Sequence, residues 1–286
     1  MNNFNCVSII CPICGKPLVQ SGTSLLCASR HTYDIARQGY VNLLPVQQKH
    51  SLSPGDTPEM LAARRRFLSG GHYSPICADV AHALEEIPGG VSAVIDVGCG
   101  EGYYTEQFLR LFHNVRIIGA DISKAAVKMA ASRTKEISWI TATASHLPVA
   151  DGSADAVTAM FSLLCEEEFA RLLRPGGRVI EVTAGTEHLI ELKRIIYDDL
   201  FEQHKRPKAP QGYLRELSCE LKKFHMVLKG EELNDLLQMT PHTMRIKPEN
   251  RARLASTPSL GLAVEYFVRV LEKPSSLSQI SHTNIN

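Results

Sequence analysis

The chain has 286 residues, 44% hydrophobic and 21% charged, the make-up of an ordinary globular protein able to bury a sizeable core. At that length, one large domain with a small accessory module is the expected organisation. A formal net charge of +1 excludes a globally basic nucleic-acid binder, so any such surface has to be a local patch.

The opening "MNNFNCVSII" lacks a basic n-region and a long apolar run, so no signal peptide is expected. No segment reaches the roughly 18 apolar residues of a membrane span. Of the eight cysteines only Cys6, Cys11, Cys14 and Cys27 cluster. Cys77, Cys99, Cys165 and Cys219 lie scattered among apolar neighbours, which fits a reducing, cytoplasmic compartment. A disulfide framework is therefore disfavoured for "CPICGKPLVQSGTSLLCASRH", leaving a metal site or free thiols beside a chance histidine. Zinc takes four N or S ligands in a tetrahedron. Cys11 and Cys14 supply two thiolates from one tight loop eased by Gly15, and Cys27 and His31 arrive together on a returning strand, "TSLLC". Four protein ligands leave no position for a catalytic water, so the expected role is structural, one zinc per chain.

"TYDIARQGYVNLL" alternates apolar and polar residues and should complete this module, set at residues 1–44, with a strand or two. "PVQQKHSLSPGDTP", residues 45–58, reads as a linker. A main domain over 59–273 follows. "PEMLAARRRFLSGGHY" predicts a helix from Pro58 stopped by Gly70 and Gly71. Arg64, Arg65 and Arg66 on it are candidates for RNA phosphate contact, against the plainer reading of a solvated surface. "PICADVAHALEEI" is a second helix. The buried strand Val91–Val97 then runs into Gly98, Gly100 and Gly102 before another helix.

Glycines there let the turn tighten and the backbone approach a ligand, while the helix start offers free N–H groups. The loop reads D-x-G-x-G-x-G rather than the G-x-G-x-x-G of dinucleotide sites. Asp96 at the strand end could approach an ammonium group. Asp121, closing the next strand "VRIIGAD", is placed for the two hydroxyls of a ribose. A ribose with an amino-acid tail and no phosphate describes S-adenosylmethionine, which this pattern fits better than NAD. Ser145, after the third strand, lies where adenine would be flanked. The remaining alternation, "KAAVKMAASRT", "ISWITAT", "ADAVTAMFSL", "EEEFARLL", a tight "RPGG" turn and "GRVIEVTA", predicts a doubly wound α/β sheet. "LGLAVEYFVRVLEK" is expected as a late strand at the sheet edge. Residues 187–230 read as a helical insertion of mixed charge, and Lys205, Arg206 and Lys208, with Lys222 and Lys223 beyond, form local basic clusters compatible with RNA. From 274 to 286 the polar, serine-rich tail is expected to be disordered.

Taken together, "CPICGKPL", "DIARQGYVNLLPVQ", "PGD", "GHY", "DVGCGEGYYT" and "LLQMTP" resemble the RlmA-type 23S rRNA (guanine-N1)-methyltransferases over nearly the whole chain. The resemblance implies a class I (Rossmann-like) methyltransferase sheet with a small N-terminal zinc-ribbon-like domain and makes Cys11, Cys14, Cys27 and His31 the zinc ligands. It also implies that Tyr73, the backbone around Glu101 and Gly102, and His188 in "GTEHLIEL" hold S-adenosylmethionine. The partner it implies is a 23S rRNA hairpin, modified near position 745 or 748 according to subtype, with the 748 type able to contribute to macrolide resistance. A homodimer is compatible with it, and no membrane is involved.

The acceptor nitrogen carries a proton at neutral pH, so a base must remove it or the site must stabilise the anion. No Asn/Asp-Pro-Pro-aromatic motif is present; "AMFSLLCEEE" stands in its place, and no catalytic residue is assigned. Cys165 is read as a buried thiol rather than a nucleophile, because attack at a guanine nitrogen needs no covalent adduct. Two competing readings are a small-molecule methyltransferase, which the zinc module argues against, and a non-catalytic zinc-dependent RNA-binding protein, which the intact glycine loop and Asp121 argue against.

Overall fold

The computed structural model describes residue 4 and residues 8–48, 55–198 and 206–275. Two sheets organise it. The smaller is an antiparallel ribbon of β1 (Leu18–Ser21), β2 (Ser24–Cys27) and β3 (Thr32–Asp34). Gly22, at φ +60°, makes the two-residue turn that joins the first pair.

The larger sheet has eight strands: β4 (Tyr40–Asn42), β5 (Ala93–Val97), β6 (Arg116–Asp121), β7 (Ser138–Thr141), β8 (Ala154–Met160), β9 (Leu173–Ala184), β10 (Arg215–Lys229) and β11 (Ser259–Glu272). Their spatial order is β10-β11-β9-β8-β5-β6-β7-β4, parallel except that β11 runs antiparallel to both β9 and β10. β5, β7 and β8 are buried along their whole length, as "AVIDV", "SWIT" and "ADAVTAM" demand of central parallel strands. The chain builds outward from β5 through β6 to β7, then returns to its other side as β8. That reversal opens a crevice at the carboxyl ends of β5 and β8.

Helices α1 (Pro58–Ser69), α2 (Ser74–Glu85), α3 (Tyr103–Leu111) and α4 (Lys124–Ala130) cover one face through Phe67, Val80, Phe108 and Val127, which join Val94, Ile117 and Trp139 of the sheet. α1 begins and ends as its sequence requires: the Thr57 side chain accepts from Met60 N–H, Pro58 sits in the first turn, and Gly70 closes it. The opposite face, Ile95, Val97, Ile118, Ala120 and Ile140, is covered by α5 (Glu166–Leu172) through Phe169 and Leu172, and by the zinc ribbon itself. Ile9, Leu18, Leu25 and the cysteines Cys11 and Cys27 belong to that same core. The remaining helices are α6 (Ile190–Ile196), α7 (Glu231–Gln238) and α8 (Pro248–Ala255).

Four expectations are corrected. Among the described residues of the expected helical insertion, 187–230, only Ile190–Ile196 forms an α-helix, and Arg215–Lys229 is a fifteen-residue strand. Its charged residues sit on an exposed edge, which masked its period of two. Because β10 takes the edge, β11 lies inside the sheet between β9 and β10, with Leu262–Tyr266 buried on both faces. "RPGG" falls within β9: Leu173 pairs with Ala154 and Arg178 with Ala156, so the four intervening residues are looped out of the ladder. Finally, Tyr40–Asn42 leaves the ribbon and pairs in parallel with Trp139–Thr141, so the chain up to residue 44 is not a self-contained module. Residues 49–54 of the expected linker and 276–286 of the expected tail lie outside the described residues; Val46–Gln48 form a 3-10 turn.

Candidate metal centre and cofactor site

Two tight turns carry the metal ligands. In the first, Gly15 N–H donates to Cys11 O (2.8 Å) and Cys11 N–H to Lys16 O (2.8 Å). In the second, Arg30 N–H donates to Cys27 O (2.9 Å) and Cys27 N–H to His31 O (3.1 Å). The Sγ atoms of Cys11, Cys14 and Cys27 and a ring nitrogen of His31 all lie within 4.8 Å of one another. Cys14 and Cys27 Sγ are 3.7 Å apart, and His31 Nδ1 is 3.4 Å from Cys11 Sγ and 3.5 Å from Cys27 Sγ. A tetrahedron with ordinary zinc bond lengths has S–S edges of about 3.7 Å and S–N edges of about 3.5 Å. The donor set fits zinc in kind, number and spacing. The Lys16 N–H directed at Cys14 lowers that thiol to about 6, which favours the thiolate a metal requires. The Tyr33 hydroxyl lies 3.3 Å from Cys11 Sγ and orients it. The cluster holds one structural zinc.

The crevice between β5 and β8 holds the second site. Gly98 (φ +74°) follows β5, and a Cβ on it would come within 2.5 Å of Ser162 Cβ. Gly102 (φ +88°) opens α3 where a Cβ would meet Ala130 and Trp139 at 2.8 Å. These two glycines are required by contact as well as by backbone conformation. Beside them is a cavity of about 250 Å³ lined in part by Gly98, Asp121, Ala142, Thr143, Ser162 and Leu163. Asp121 accepts from Gly100 N–H (2.9 Å) and Ser123 N–H (2.8 Å); burial raises its carboxyl despite those bonds. It closes β6 on the wall of that cavity. The end of the linker packs here too, since a Cβ on Gly55 would lie 2.9 Å from Ser123 Cβ.

The other expected residues divide. Asp96 is not on the cavity wall. It is 1% exposed, its oxygens accept from Thr105 Oγ1 and Thr158 Oγ1 (2.7 Å), and burial lifts it to about 6. Its environment is that of a brace between β5, α3 and β8 rather than of an exposed partner for an ammonium group. The Glu101 carboxylate is turned to Arg133 (2.7 Å), away from a ligand role for its side chain. Ser145 lines a neighbouring cavity of about 540 Å³, together with His146, Cys165 and Glu166, and not the one beside Asp121. Tyr73 and His188, far apart in sequence, meet with ring centroids 6.5 Å apart. Burial holds the Tyr73 phenol protonated far above the ordinary range, and His188 Nδ1–H donates to the Glu265 carbonyl (2.8 Å). Phe161, 5.7 Å from the His188 ring, joins the group, and its sequence context "AMFSLL" gives no sign of a special residue.

The basic candidates are largely spoken for. Arg64 binds Asp56 Oδ2 (2.7 Å) and the Met239 carbonyl, and Arg66 binds Asp235 through Nε (2.9 Å) and Nη2 (2.5 Å). Both are thus held in ion pairs, although the Arg66 side chain remains 58% exposed. Among the described residues Arg65 donates to the neutral acceptors Ser132 Oγ (2.9 Å) and Met129 O. Lys222 and Lys223 pair with Glu220 and Glu187. Arg206 and Lys208 are exposed, and Lys205 lies outside the described residues. Among the described residues no helix is long and apolar enough to cross a membrane.

Strand order, glycine loop and the acid closing the second strand of the α/β unit define a class I S-adenosylmethionine-dependent methyltransferase. Residues 9–52 match the family described as RlmA, N-terminal, a zinc ribbon, and residues 94–177 match the methyltransferase domain family. A 23S rRNA (guanine(748)-N(1))-methyltransferase of Streptomyces fradiae is 31% identical over 257 residues, 87% of this chain and 91% of its own. A Micromonospora griseorubida protein named for the same guanine-N1 reaction is 37% identical over 201 residues, 64% of this chain and 67% of its own. A geranyl diphosphate methyltransferase solved with S-adenosylmethionine covers 78% of this chain and 93% of its own at 16% identity and a TM-score of 0.46. The chain belongs to the RlmA-type 23S rRNA (guanine-N1)-methyltransferase family.

Proposed function

We propose that the protein methylates nitrogen 1 of a guanine in a hairpin of 23S rRNA, at position 748 in preference to 745. The observation that carries this reading is the fusion of the zinc ribbon to the sheet that bears the cofactor cavity. Ile10 N–H donates to Pro148 O (2.9 Å), Ala150 N–H donates to Ser8 O (2.8 Å), and β4 extends the sheet beside β7. The Streptomyces fradiae enzyme, which aligns with 87% of this chain, carries the 748 assignment.

When bound, S-adenosylmethionine supplies an electrophilic methyl group on a sulfonium. Asp121 would take the ribose, the Gly98–Gly102 backbone the amino-acid portion, and Tyr73 and His188 the side nearest the acceptor. The chain's task is then placement, since in-line geometry contributes more here than covalent help. The target guanine has to leave its stack to present nitrogen 1, at a cost of a few kcal/mol. Arg65, which is half-buried, and the exposed Arg206 and Lys208 are the cations proposed to meet the RNA backbone, and such an acceptor makes the enzyme cytoplasmic. The test is methyl transfer from labelled S-adenosylmethionine to unmodified 23S rRNA, followed by primer extension. A methyl on nitrogen 1 blocks pairing and stops extension at one guanine. Product that is read through, or equal turnover of a small aromatic acceptor, refutes the proposal.

A further inference from the structure

Phe161, the first residue past β8, adopts φ +52°. That conformation is costly for a bulky L-residue and persists only where the surroundings over-determine it. Here they do. Phe161 N–H donates to Val182 O (2.8 Å), Ser162 Oγ donates to Val97 O (2.8 Å), and Ser162 packs into the space left by the absent side chain of Gly98. Glycine or asparagine would make the same turn with less strain, so the turn itself does not call for an aromatic ring.

Nor does the core. Phe161 is 36% exposed, whereas Tyr73 beside it is 3% exposed. Ring centroids lie 6.3 Å from Tyr73 and 5.7 Å from His188, which fix its orientation. The two residues that follow, Ser162 and Leu163, line the cavity beside Asp121. A strained backbone thus holds a partly exposed aromatic ring immediately before the two residues that line the cofactor cavity, at the carboxyl end of β8.

We propose that Phe161 is the surface on which the acceptor guanine stacks after leaving its helix, holding nitrogen 1 towards the methyl group. This rests on the reading of the acceptor as a guanine in RNA. A partly exposed aromatic ring suits any base, because every base has a π-face. Choice of the guanine then comes from the RNA held by the rest of the protein, and Phe161 sets how well the chosen base is positioned.

The experiment uses the full-length zinc-loaded protein and an rRNA hairpin carrying 6-thioguanosine at the acceptor position, irradiated in the presence of S-adenosylhomocysteine. The cross-link should map to Phe161. Phe161→Leu should lose the cross-link and lower kcat/KM on the order of tenfold to a hundredfold, the range of base–aromatic stacking. Phe161→Tyr should restore both, and cofactor affinity should be unchanged throughout. Phe161→Asn, which tolerates positive φ, should fold at least as stably as Phe161→Leu yet be equally impaired, separating stacking from stability. A cross-link on another residue, loss of cofactor affinity in Phe161→Leu, or a Phe161→Leu enzyme that matches wild type overturns the proposal while leaving the proposed function standing. Wild-type protein that fails to methylate the unmodified hairpin overturns both.

Discussion

Asparagine in place of Asp96 removes a buried charge and keeps the side-chain shape. The carboxyl is wholly enclosed between Thr105 and Thr158, and burial outweighs both hydroxyl bonds, lifting it from 3.8 to about 6. An acid whose folded value is raised binds its proton more tightly folded than unfolded. Its contribution to stability is therefore best below about pH 4 and is lost as pH rises to about 6. The full shift corresponds to roughly 3 kcal/mol, of which roughly 1.4 kcal/mol falls between about pH 5 and about pH 8. Asp96→Asn lacks this titration, and any rearrangement of its bonds to the two threonines is independent of pH. The difference in unfolding free energy between variant and wild type should move in the variant's favour by roughly 1.4 kcal/mol across that range. Urea denaturation of both proteins at several pH values, with zinc in the buffer, measures it. A difference that is flat with pH, or that moves towards wild type, refutes the idea that Asp96 is a desolvated brace.

Cys14→Ser should reduce bound zinc from one per chain to near none by elemental analysis and lower the thermal midpoint, because Cys11 and Cys27 sit in the core shared with the sheet. Asp121→Ala should weaken S-adenosylmethionine more than about tenfold in calorimetry, since a charged acceptor contributes about 1.5–3 kcal/mol and its loss also releases the Gly100 N–H. Arg66→Ala should leave RNA affinity and its salt slope unchanged while lowering stability, because its partner Asp235 loses a bidentate ion pair; a shallower salt slope would mean that Arg66 contacts phosphate after all.

The metal site was legible because its chemistry is local: four ligands in two short turns advertise themselves by spacing. Asp121 and the glycine loop were legible because the strand–turn–helix that carries them is written in one continuous stretch. What was not legible depends on distant pairing. Nothing near Arg66 announces Asp235, and nothing near Tyr73 announces His188 or Phe161. The strand at 215–229 was hidden by its charges, which satisfy solvent on an edge as readily as on a helix. The three-residue β4 carries too little pattern of its own to reveal that it belongs with β7 rather than with the ribbon. The strain at Phe161 is a property of backbone held from both sides, and no residue type encodes it.

The weaving of the N-terminal segment into the far side of the sheet also sets an order of assembly. The β1–β2–β3 ribbon and its four metal ligands are contacts of short range, so zinc can close them as soon as the first part of the chain is available. The partners of Ile10 and Tyr40, Pro148 and Trp139, come from far downstream, and those contacts must wait until β7 and the loop after it exist. A metal-stapled ribbon that forms early then presents Ile9, Leu18 and Leu25 as a ready apolar plate against which the bare face of Ile95, Val97 and Ile118 can settle. The zinc thereby acts on how quickly and how cleanly the sheet that carries the cofactor cavity is completed.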